Sequence, residues 1–274
     1  MGHKKKGHRN KIKSIKFQVT KDNGCILKLP NIKDEDLPYV SVITPTRNRR
    51  FIFELAVYQF QNFMYPKEKL EWVVLDNGTD KIRDMIPDDI NLKYLSVPGD
   101  KTYGLADLRN HCIKHSSHDY IVYMDDDDYY PPESVLARVK ALIKYKSMGV
   151  ECVGSVSLGC YNILNHDSYF VSNGKNYLAE ASICHLKKFW KKRNFKKIDA
   201  GAEFKNFLKN RQSKIRDIPF QFVCIALNHH ANCTDRGMNT VDENLKLDVD
   251  KLNFAYIFPP KVKEIINRSL ESLL

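Results

Sequence analysis

One stretch of the sequence constrains the fold more than any other: an apolar run, Ile121 to Met124, leads directly into four consecutive aspartates, Asp125 to Asp128. The run is rich in β-branched and aromatic residues and predicts a buried strand. Two prolines follow, and a helical pattern begins at Glu133. Because open α/β sheets bind their ligands at the carboxyl ends of the strands, this order predicts a ligand site at the aspartates.

Four neighbouring carboxylates repel one another unless a cation lies between them. Mg²⁺ and Mn²⁺ take oxygen ligands of this kind and usually share them with substrate phosphates. The alternative is a solvated acidic turn that caps the helix beginning at Glu133, since Asp favours helix N-termini. The residue pattern leaves both interpretations open and favours the metal.

Strand-like and helix-like segments alternate up to about residue 150. Strands are predicted at 39–44, 71–75, 92–97 and 120–124, with helices after the first strand, from Gly104 and over 133–146. This alternation predicts an α/β fold with a mainly parallel central sheet and helices on both faces. Later segments read as strands at 150–158, 168–171 and 219–227, a helix at 202–208 and an amphipathic tail from Val262.

We divide the chain on this basis into four parts. Residues 1–36 form a basic N-terminal arm with at most one short strand near Ile26, residues 37–155 and 156–250 form two halves of one domain, and residues 251–274 form a helical tail.

The composition bounds the possible partners and the compartment. The 274 residues include 44 Lys and Arg against 33 Asp and Glu, a net charge of +11, which predicts an anionic partner. No apolar run approaches the roughly 20 residues that a membrane helix needs. The seven cysteines form no CxxC pair, and no signal peptide is recognisable, which predicts a soluble cytoplasmic protein with reduced thiols.

Four motifs follow one another along the chain, in the order VSVITPTRNR, VVLDNGT, GLADLRN and YIVYMDDDD. Together they resemble the family 2 glycosyltransferases of the GT-A fold, over roughly residues 38–135. The resemblance implies a nucleotide-diphosphate sugar donor, a UDP-sugar by preference, a divalent Mn²⁺ or Mg²⁺ ion, and a glycan or other hydroxyl acceptor. It also implies inverting, hexosyltransferase-type chemistry, with the residues 37–155 binding the donor and the residues 156–250 binding the acceptor.

The resemblance implies roles for residues on the donor side. The nucleoside would contact the ends of the first two strands, through Thr44, Pro45, Arg47, Asn48, Asp76 and Asn77. Asp76 would accept a hydrogen bond from the base, but a carboxylate at a strand end could equally form a turn or cap a helix. Lys101, Gly104 and Arg109 would lie near the pyrophosphate, although Arg109 could instead pair with the aspartates as scaffold.

The aspartates would form the DxD motif of the family. In the first frame Asp125 and Asp127 bind the metal and Asp126 approaches the ribose; an overlapping frame uses Asp128. Because the residues of a strand alternate sides, Asp125 and Asp127 are expected to share one direction and Asp126 to take the other. His230 resembles a late histidine that completes the metal shell in some members, and the adjacent His229 is the alternative.

The resemblance also implies a carboxylate that removes the proton of the acceptor. The segment Ala200–Phe204 stands where the family has a GED-like motif, so Glu203 is the predicted general base and Asp199 the next candidate. A plain surface glutamate is the alternative for Glu203.

Two other functions remain open from the sequence. A metal-dependent nucleotidyltransferase would also set acidic residues beside an α/β sheet, but it would release pyrophosphate. A non-catalytic module that binds nucleic acid would use the basic charge. It ranks last, because aromatic-basic motifs of the RNA-binding kind are absent from the sequence.

Overall fold

The structure is a computed structural model that describes residues 12–18, 24–98, 103–172, 177–196, 203–232 and 253–272, with backbone alone for 12–18, Gly24 and Glu203. The strands in these ranges are β1 (Ile12–Gln18), β2 (Gly24–Pro30), β3 (Val40–Thr46), β4 (Leu70–Asp76), β5 (Leu92–Ser96), β6 (Tyr120–Tyr123), β7 (Cys152–Gly154), β8 (Ser157–Asn162), β9 (Ser168–Ser172), β10 (Cys184–Leu186), β11 (Ile215–Asp217) and β12 (Ile225–Asn228). The helices are α1 (Arg50–Asn62), α2 (Leu105–His115), α3 (Ser134–Lys146), α4 (Lys187–Lys192), α5 (Glu203–Leu208) and α6 (Pro260–Glu271).

The main sheet has seven strands within the described ranges, in the order β11-β7-β10-β6-β3-β4-β5. β3, β4, β5 and β6 run parallel; the apolar side chains of β3, β4 and β6 are buried on both faces, whereas those of the edge strand β5 are partly exposed. Trp72 of β4 stacks on Phe53 and Phe60 of α1 on one face, whereas Leu108 and Cys112 of α2 cover the other. The predicted α/β fold with a mainly parallel sheet and helices on both faces is confirmed.

One strand of the main sheet runs against the others. β10 pairs in antiparallel fashion with both β6 and β7, and α4 follows it directly. The sequence analysis predicted neither β10 nor β11, because a strand of three residues is too short to show a period in the sequence. No helix of the described ranges combines the length and the apolar character that crossing a bilayer demands.

A smaller sheet lies beside α1, with strand order β12-β8-β9 in the part of the chain that the structure describes. The predicted strand over 150–158 is divided between β7 and β8, and the predicted strand over 219–227 begins instead as a 3-10 turn, Phe220–Phe222. Gly159 of β8 lies against the rings of Phe220 and Phe254, where a Cβ atom would stand 2.6 Å from each ring. The rings of this small core therefore require glycine at position 159.

The N-terminal arm contains more structure than predicted. β1 and β2 form an antiparallel hairpin over Ile12–Pro30, where at most one short strand was expected. Leu27 and Leu29 of β2 are buried, and Lys144 of α3 donates a hydrogen bond to the carbonyl of Lys28. The frequent lysines obscured the alternating apolar residues that hold this hairpin on α3.

Glu71 connects β4 with β3 by hydrogen bonds at the edge of the main sheet that lies opposite the aspartates. Its buried carboxylate accepts hydrogen bonds from Ser41 Oγ (2.5 Å), from Ser117 N and Oγ (2.9 and 2.6 Å), and it pairs with Lys93 Nζ (3.0 Å). Burial alone would raise the pKa of Glu71, but the hydrogen bonds from Ser117, Ser41 and Lys93 lower it to about 2. The ionised carboxylate therefore stabilises the folded state.

We predict that Glu71→Gln lowers the free energy of unfolding by about 2 kcal/mol near neutral pH. Because the folded pKa lies below the ordinary value of 4.5, the contribution of Glu71 is complete above that value and is lost as the pH falls towards 2. Urea denaturation of both proteins at about pH 7 and about pH 3 measures this. The difference should shrink at the lower pH, and an equal difference at both would contradict the assignment. The exposed Glu68→Gln is the control.

Candidate active site

The carboxyl ends of β3, β4 and β6 meet at one edge of the main sheet, because the three strands are parallel neighbours. β6 ends at Tyr123, and the four aspartates form a turn beyond it rather than a continuation of the strand. The predicted alternation of side-chain directions therefore fails: Asp125 and Asp127 contact different partners.

Asp125 is held by a buried arginine. Arg109 Nη2 lies 3.3 Å from Asp125 Oδ1, and Arg109 Nη1 pairs with Glu180. The hydroxyl of Tyr130 accepts a hydrogen bond from the Asp125 amide (2.9 Å). Arg109 thus bridges two carboxylates, which agrees with the scaffold alternative for this residue, and Glu180 joins the site as a residue that the sequence analysis did not select.

Asp127 lies among three side chains from two other loops. Its Oδ2 is 3.6 Å from Arg49 Nη2 and 3.4 Å from His229 Nε2, and it accepts a hydrogen bond from Asn232 Nδ2 (3.1 Å). His229 is fully buried, whereas His230 is exposed. The two adjacent side chains point in opposite directions at the end of β12, so the structure favours His229 over the predicted His230 as the histidine of the site.

Asp126 is buried with an unsatisfied oxygen. Asp126 Oδ2 and Thr46 Oγ1 are both buried without a hydrogen bond of normal geometry among the described residues, although the Thr46 hydroxyl is close enough to lower the pKa of Asp126. Burial, and then the neighbouring charge of Asp127, raise the pKa of Asp126 well above its ordinary value. Buried polar atoms without partners are uncommon, and at the mouth of a sheet they indicate a position that a ligand would satisfy.

Asp128 faces away from the site. It is fully buried, and its Oδ1 accepts a hydrogen bond from the Leu227 amide (3.1 Å), while its carbonyl accepts one from Gln59 (3.0 Å). Asp128 therefore ties the aspartate turn to β12 and to α1. The structure favours the frame of Asp125 and Asp127 over the overlapping frame that uses Asp128.

The side chain of Asp76 stabilises the loop that follows β4. Its Oδ1 accepts from the Gly78 amide (2.8 Å), and its Oδ2 accepts from the Ile82 amide (3.0 Å) and from Tyr94 Oη (2.5 Å). Both oxygens are thus used within the protein, and the side chain is buried. The structure favours the turn-forming alternative for Asp76 over contact with a base.

The loop after β3 is joined to the loop after β4. Asn48 has a positive φ of 53°, and its Oδ1 accepts hydrogen bonds from the amides of Thr79 (2.8 Å) and Asp80 (3.2 Å). Gly78 lies so close to Asn48 that a Cβ atom would stand 2.6 Å from Asn48 Oδ1. Asn48 accordingly positions the two loops, which explains an asparagine at a left-handed position.

The remaining predicted donor residues differ in their surroundings. Thr44 accepts a hydrogen bond from Trp72 Nε1 (2.9 Å) and is buried, as is Pro45, while Arg47 is exposed. Asn77 Nδ2 donates to the carbonyl of Pro98 (3.2 Å), and Asn77 is fully buried.

The predicted pyrophosphate residues lie around the beginning of α2. Gly104 is the residue before the first turn of α2, it is partly exposed, and it carries no side chain over the amides of that turn. Lys101 lies outside the described residues.

The predicted general base lies at the beginning of α5. Only the backbone of Glu203 is described, and Asp199 lies outside the described residues. Phe204, the next residue, stacks on Phe195 with centroids 6.2 Å apart, and Phe195 contacts Tyr123 at 6.4 Å. The start of α5 is therefore two ring contacts from the last residue of β6, which leads into the aspartates.

The chemistry of the donor set fits a hard divalent cation that shares its ligands with a substrate. Asp127 and His229 converge, and Asp125 lies two residues away, but no group of three or more Asp, Glu, His or Cys side chains forms a complete metal cage among the described residues. Mg²⁺ and Mn²⁺ sites commonly use one or two carboxylates and leave the other positions to phosphate and water.

The sequence analysis missed four residues of the site: Arg49, Thr46, Glu180 and Asn232. Arg49 and Thr46 stand in the same TPTRNR motif as the selected residues, and the period of two along β3 places Thr46 on the side of Thr44. Glu180 lies 71 residues from its partner Arg109 in the sequence, and no local pattern marks such a pair.

Comparison with known proteins agrees with the geometry. The sequence matches the glycosyl transferase family 2 over residues 41–199. It is 27% identical over 138 residues to the probable glycosyltransferase YdaM of Bacillus subtilis (strain 168), a match that covers 48% of this chain and 31% of YdaM. The chain thus spans about a third of the length of that curated relative.

Two solved structures share the architecture. S. aureus TarS in complex with UDP-GlcNAc superposes with a TM-score of 0.54 at 19% identity, over 70% of this chain and 59% of that chain. The mannosyltransferase PcManGT of Pyrobaculum calidifontis, in complex with GDP-Man and Mn²⁺, gives a TM-score of 0.55 at 17% identity, over 86% of this chain and 70% of that chain. At these identities the likeness concerns the fold. The chain therefore belongs to glycosyl transferase family 2 and has the GT-A fold.

Proposed function

We propose that this protein is a metal-dependent, inverting glycosyltransferase that moves a hexose from a nucleoside-diphosphate sugar to an acceptor hydroxyl. One observation carries the proposal: in a chain of this family, the buried oxygens of Asp126 and Thr46, which lack hydrogen bonds of normal geometry among the described residues, adjoin Asp127 at the carboxyl edge of the sheet. Acceptors placed side by side in a dry site suit the hydroxyl groups of a ribose, and the neighbouring Asp127 suits a cation on the phosphates.

The aspartate turn would hold the metal and the diphosphate. Asp127, with His229, would bind Mn²⁺ or Mg²⁺, and Asp125 would take part if it exchanged Arg109 for the ion. The metal would supply Lewis-acid stabilisation of the leaving nucleoside diphosphate. Arg49, already within 3.6 Å of Asp127, would place a guanidinium group beside the same phosphates. Arginine is well suited to that contact because its planar fork matches phosphate oxygens.

The loops after β3, β4 and β5 would enclose the nucleoside. Asn77, buried where these loops meet, would hold them in place through its hydrogen bond to the Pro98 carbonyl, while Arg47 and Lys101 would supply positive charge. Gly104 would leave the first amides of α2 open to phosphate. UDP is the nucleotide that we test first because TarS was solved with UDP-GlcNAc, and GDP is the alternative because PcManGT was solved with GDP-Man.

Glu203 would act as the general base on the acceptor hydroxyl. The ring contacts from Phe204 through Phe195 to Tyr123 connect the beginning of α5 with the last residue of β6. In an inverting transfer the base must lie on the side of the sugar opposite the leaving group. We propose that Glu203 meets this requirement from the start of α5. Asp199 is the second candidate.

The function is tested with a panel of UDP-sugars and GDP-sugars in the presence of Mn²⁺. Release of UDP or GDP, with transfer to an added glycan, is the expected result. Release of pyrophosphate from a nucleoside triphosphate instead would assign a nucleotidyltransferase, the alternative left open by the sequence. Turnover of no donor in the panel would contradict the proposed activity.

Asp127→Asn should decrease turnover at least about 100-fold, because loss of one charged metal ligand removes stabilisation of the leaving diphosphate. Released nucleoside diphosphate measures the rate, and the melting temperature confirms folding. Asp119→Asn, an exposed aspartate at the opposite end of β6, is the matched control and should retain full activity. Full activity of Asp127→Asn would remove this residue from the metal site.

Glu203→Gln should lower kcat about 100-fold or more with little change in the KM for the donor, because general-base catalysis contributes about that much and donor binding does not use this residue. Asp199→Asn, measured in parallel, decides between the two candidates. Glu271→Gln, on the exposed side of α6, is the control. If Glu203→Gln retained kcat while Asp199→Asn lost it, the base would be Asp199.

Asp76→Ala should destabilise the free protein by about 2–4 kcal/mol, because it leaves buried donors of the loop after β4 without an acceptor. Urea denaturation without any nucleotide measures this, with the exposed Asp80→Ala as the control. An unchanged stability together with weaker nucleotide binding would restore the alternative in which Asp76 contacts the base.

A further inference from the structure

A strongly basic surface lies at the edge of the main sheet opposite the aspartates. It consists of α4, the end of α3, and the segment that runs from the end of α5 through β11, and we refer to it as the basic face. Residues 186–196 contain six Lys or Arg and residues 209–216 contain four, without any Asp or Glu in either segment. This face therefore accounts for much of the net charge of +11.

The lysines of the basic face converge on one buried acid. The Nζ atoms of Lys188, Lys192 and Lys214 lie 3.4, 3.0 and 3.3 Å from the same oxygen, Glu151 Oε1. The three lysine side chains are 55%, 53% and 40% exposed, whereas the Glu151 side chain is 7% exposed. One carboxylate cannot neutralise three ammonium groups, so a surplus of positive charge faces the solvent at this point.

A shallow cleft adjoins this cluster. Its floor is formed by Tyr120 and Leu186, and Lys146 and Lys188 flank it, with Asp119 as the acid in its lining. Lys146 Nζ lies 5.8 Å from the centroid of the Tyr120 ring. Two residues beyond Lys146, the side chain of Met148 is 61% exposed at the turn after α3. Positive charge, an apolar floor and a protruding apolar side chain thus lie together.

These features fit a phospholipid surface better than a nucleic acid. Seven of the ten basic residues in these two segments are lysines, which act as point charges, rather than arginines with their bidentate fork. The rings near the surface are not free to stack on bases: Trp190 is half-buried and donates a hydrogen bond to Asn110 (2.8 Å), and Tyr145 lies near Lys144 and Arg216.

An acidic 3-10 turn, Asp34–Asp36, lies at the same edge of the sheet beside the start of β4, where Lys69 donates a hydrogen bond to the Asp34 carbonyl.

We propose that the basic face binds anionic phospholipid bilayers reversibly. The lysines would attract the negative headgroups, and Met148 would enter the interface between headgroups and acyl chains. The aspartates lie at the opposite edge of the sheet, so binding in this manner leaves the candidate active site open. The proposal does not depend on the transferase activity.

The test is co-sedimentation of the full chain with vesicles of phosphatidylcholine alone and with vesicles that also contain phosphatidylglycerol. We expect binding to the anionic vesicles only, and a decrease as the salt concentration rises. The triple variant Lys188→Gln, Lys191→Gln, Lys192→Gln should bind roughly 100-fold more weakly, at about fivefold for each lysine. The matched control removes three charges from α6, as Lys261→Gln, Lys263→Gln, Arg268→Gln, and should bind as the unchanged protein does.

The triple variant removes two lysines, Lys188 and Lys192, that contact Glu151, so its weaker binding could also result from a folding defect. A second variant tests this. Lys146→Gln, Lys191→Gln removes two charges that do not contact Glu151 and should weaken binding roughly 20-fold. Equal binding to both kinds of vesicle would overturn the proposal. Unchanged binding of both variants would also overturn it and would assign the binding to the N-terminal arm. Binding to RNA without binding to anionic vesicles would also overturn it, in favour of a nucleic-acid surface.

Discussion

Charge balance at the aspartate turn is the interaction on which the rest of the site depends. Four carboxylates follow one buried strand, and the protein offsets them with arginines: Arg109 at Asp125 and Arg49 at Asp127. Breaking a buried ion pair by removing one partner leaves an uncompensated charge that is strongly destabilising. The arginines therefore hold a negatively charged turn at the edge of the sheet, where a divalent cation and a diphosphate would replace part of that balance.

The small sheet completes the site because two contacts hold it to the aspartate turn. Asp128 accepts a hydrogen bond from Leu227, and Tyr129 pairs with Ile225 in an isolated bridge. These contacts fix β12 so that His229 reaches Asp127. The second half of the chain thus contributes a side chain beside the aspartates, in addition to the acceptor role that the sequence suggested for it.

The sequence predicted the architecture because the architecture rests on local patterns, and the same patterns bring the aspartates to the carboxyl edge of the sheet. Apolar strands alternate with amphipathic helices, and the aspartates follow one of those strands. Individual roles were harder to predict, since they depend on side chains distant in sequence. Asp76 was assigned to a base, yet loop amides and Tyr94 use its oxygens, and Arg109 pairs with a glutamate 71 residues away.

We expect the aspartate turn to bind a divalent cation together with a nucleoside diphosphate. Electron paramagnetic resonance of free Mn²⁺, titrated with the protein in the presence and absence of UDP or GDP, measures this binding. The protein should remove Mn²⁺ from solution more strongly when its nucleotide is present than protein or nucleotide does alone, and Asp127→Asn should lose this cooperation. An unchanged free Mn²⁺ signal on adding protein to either nucleotide would show that the turn does not bind the cation and the diphosphate together.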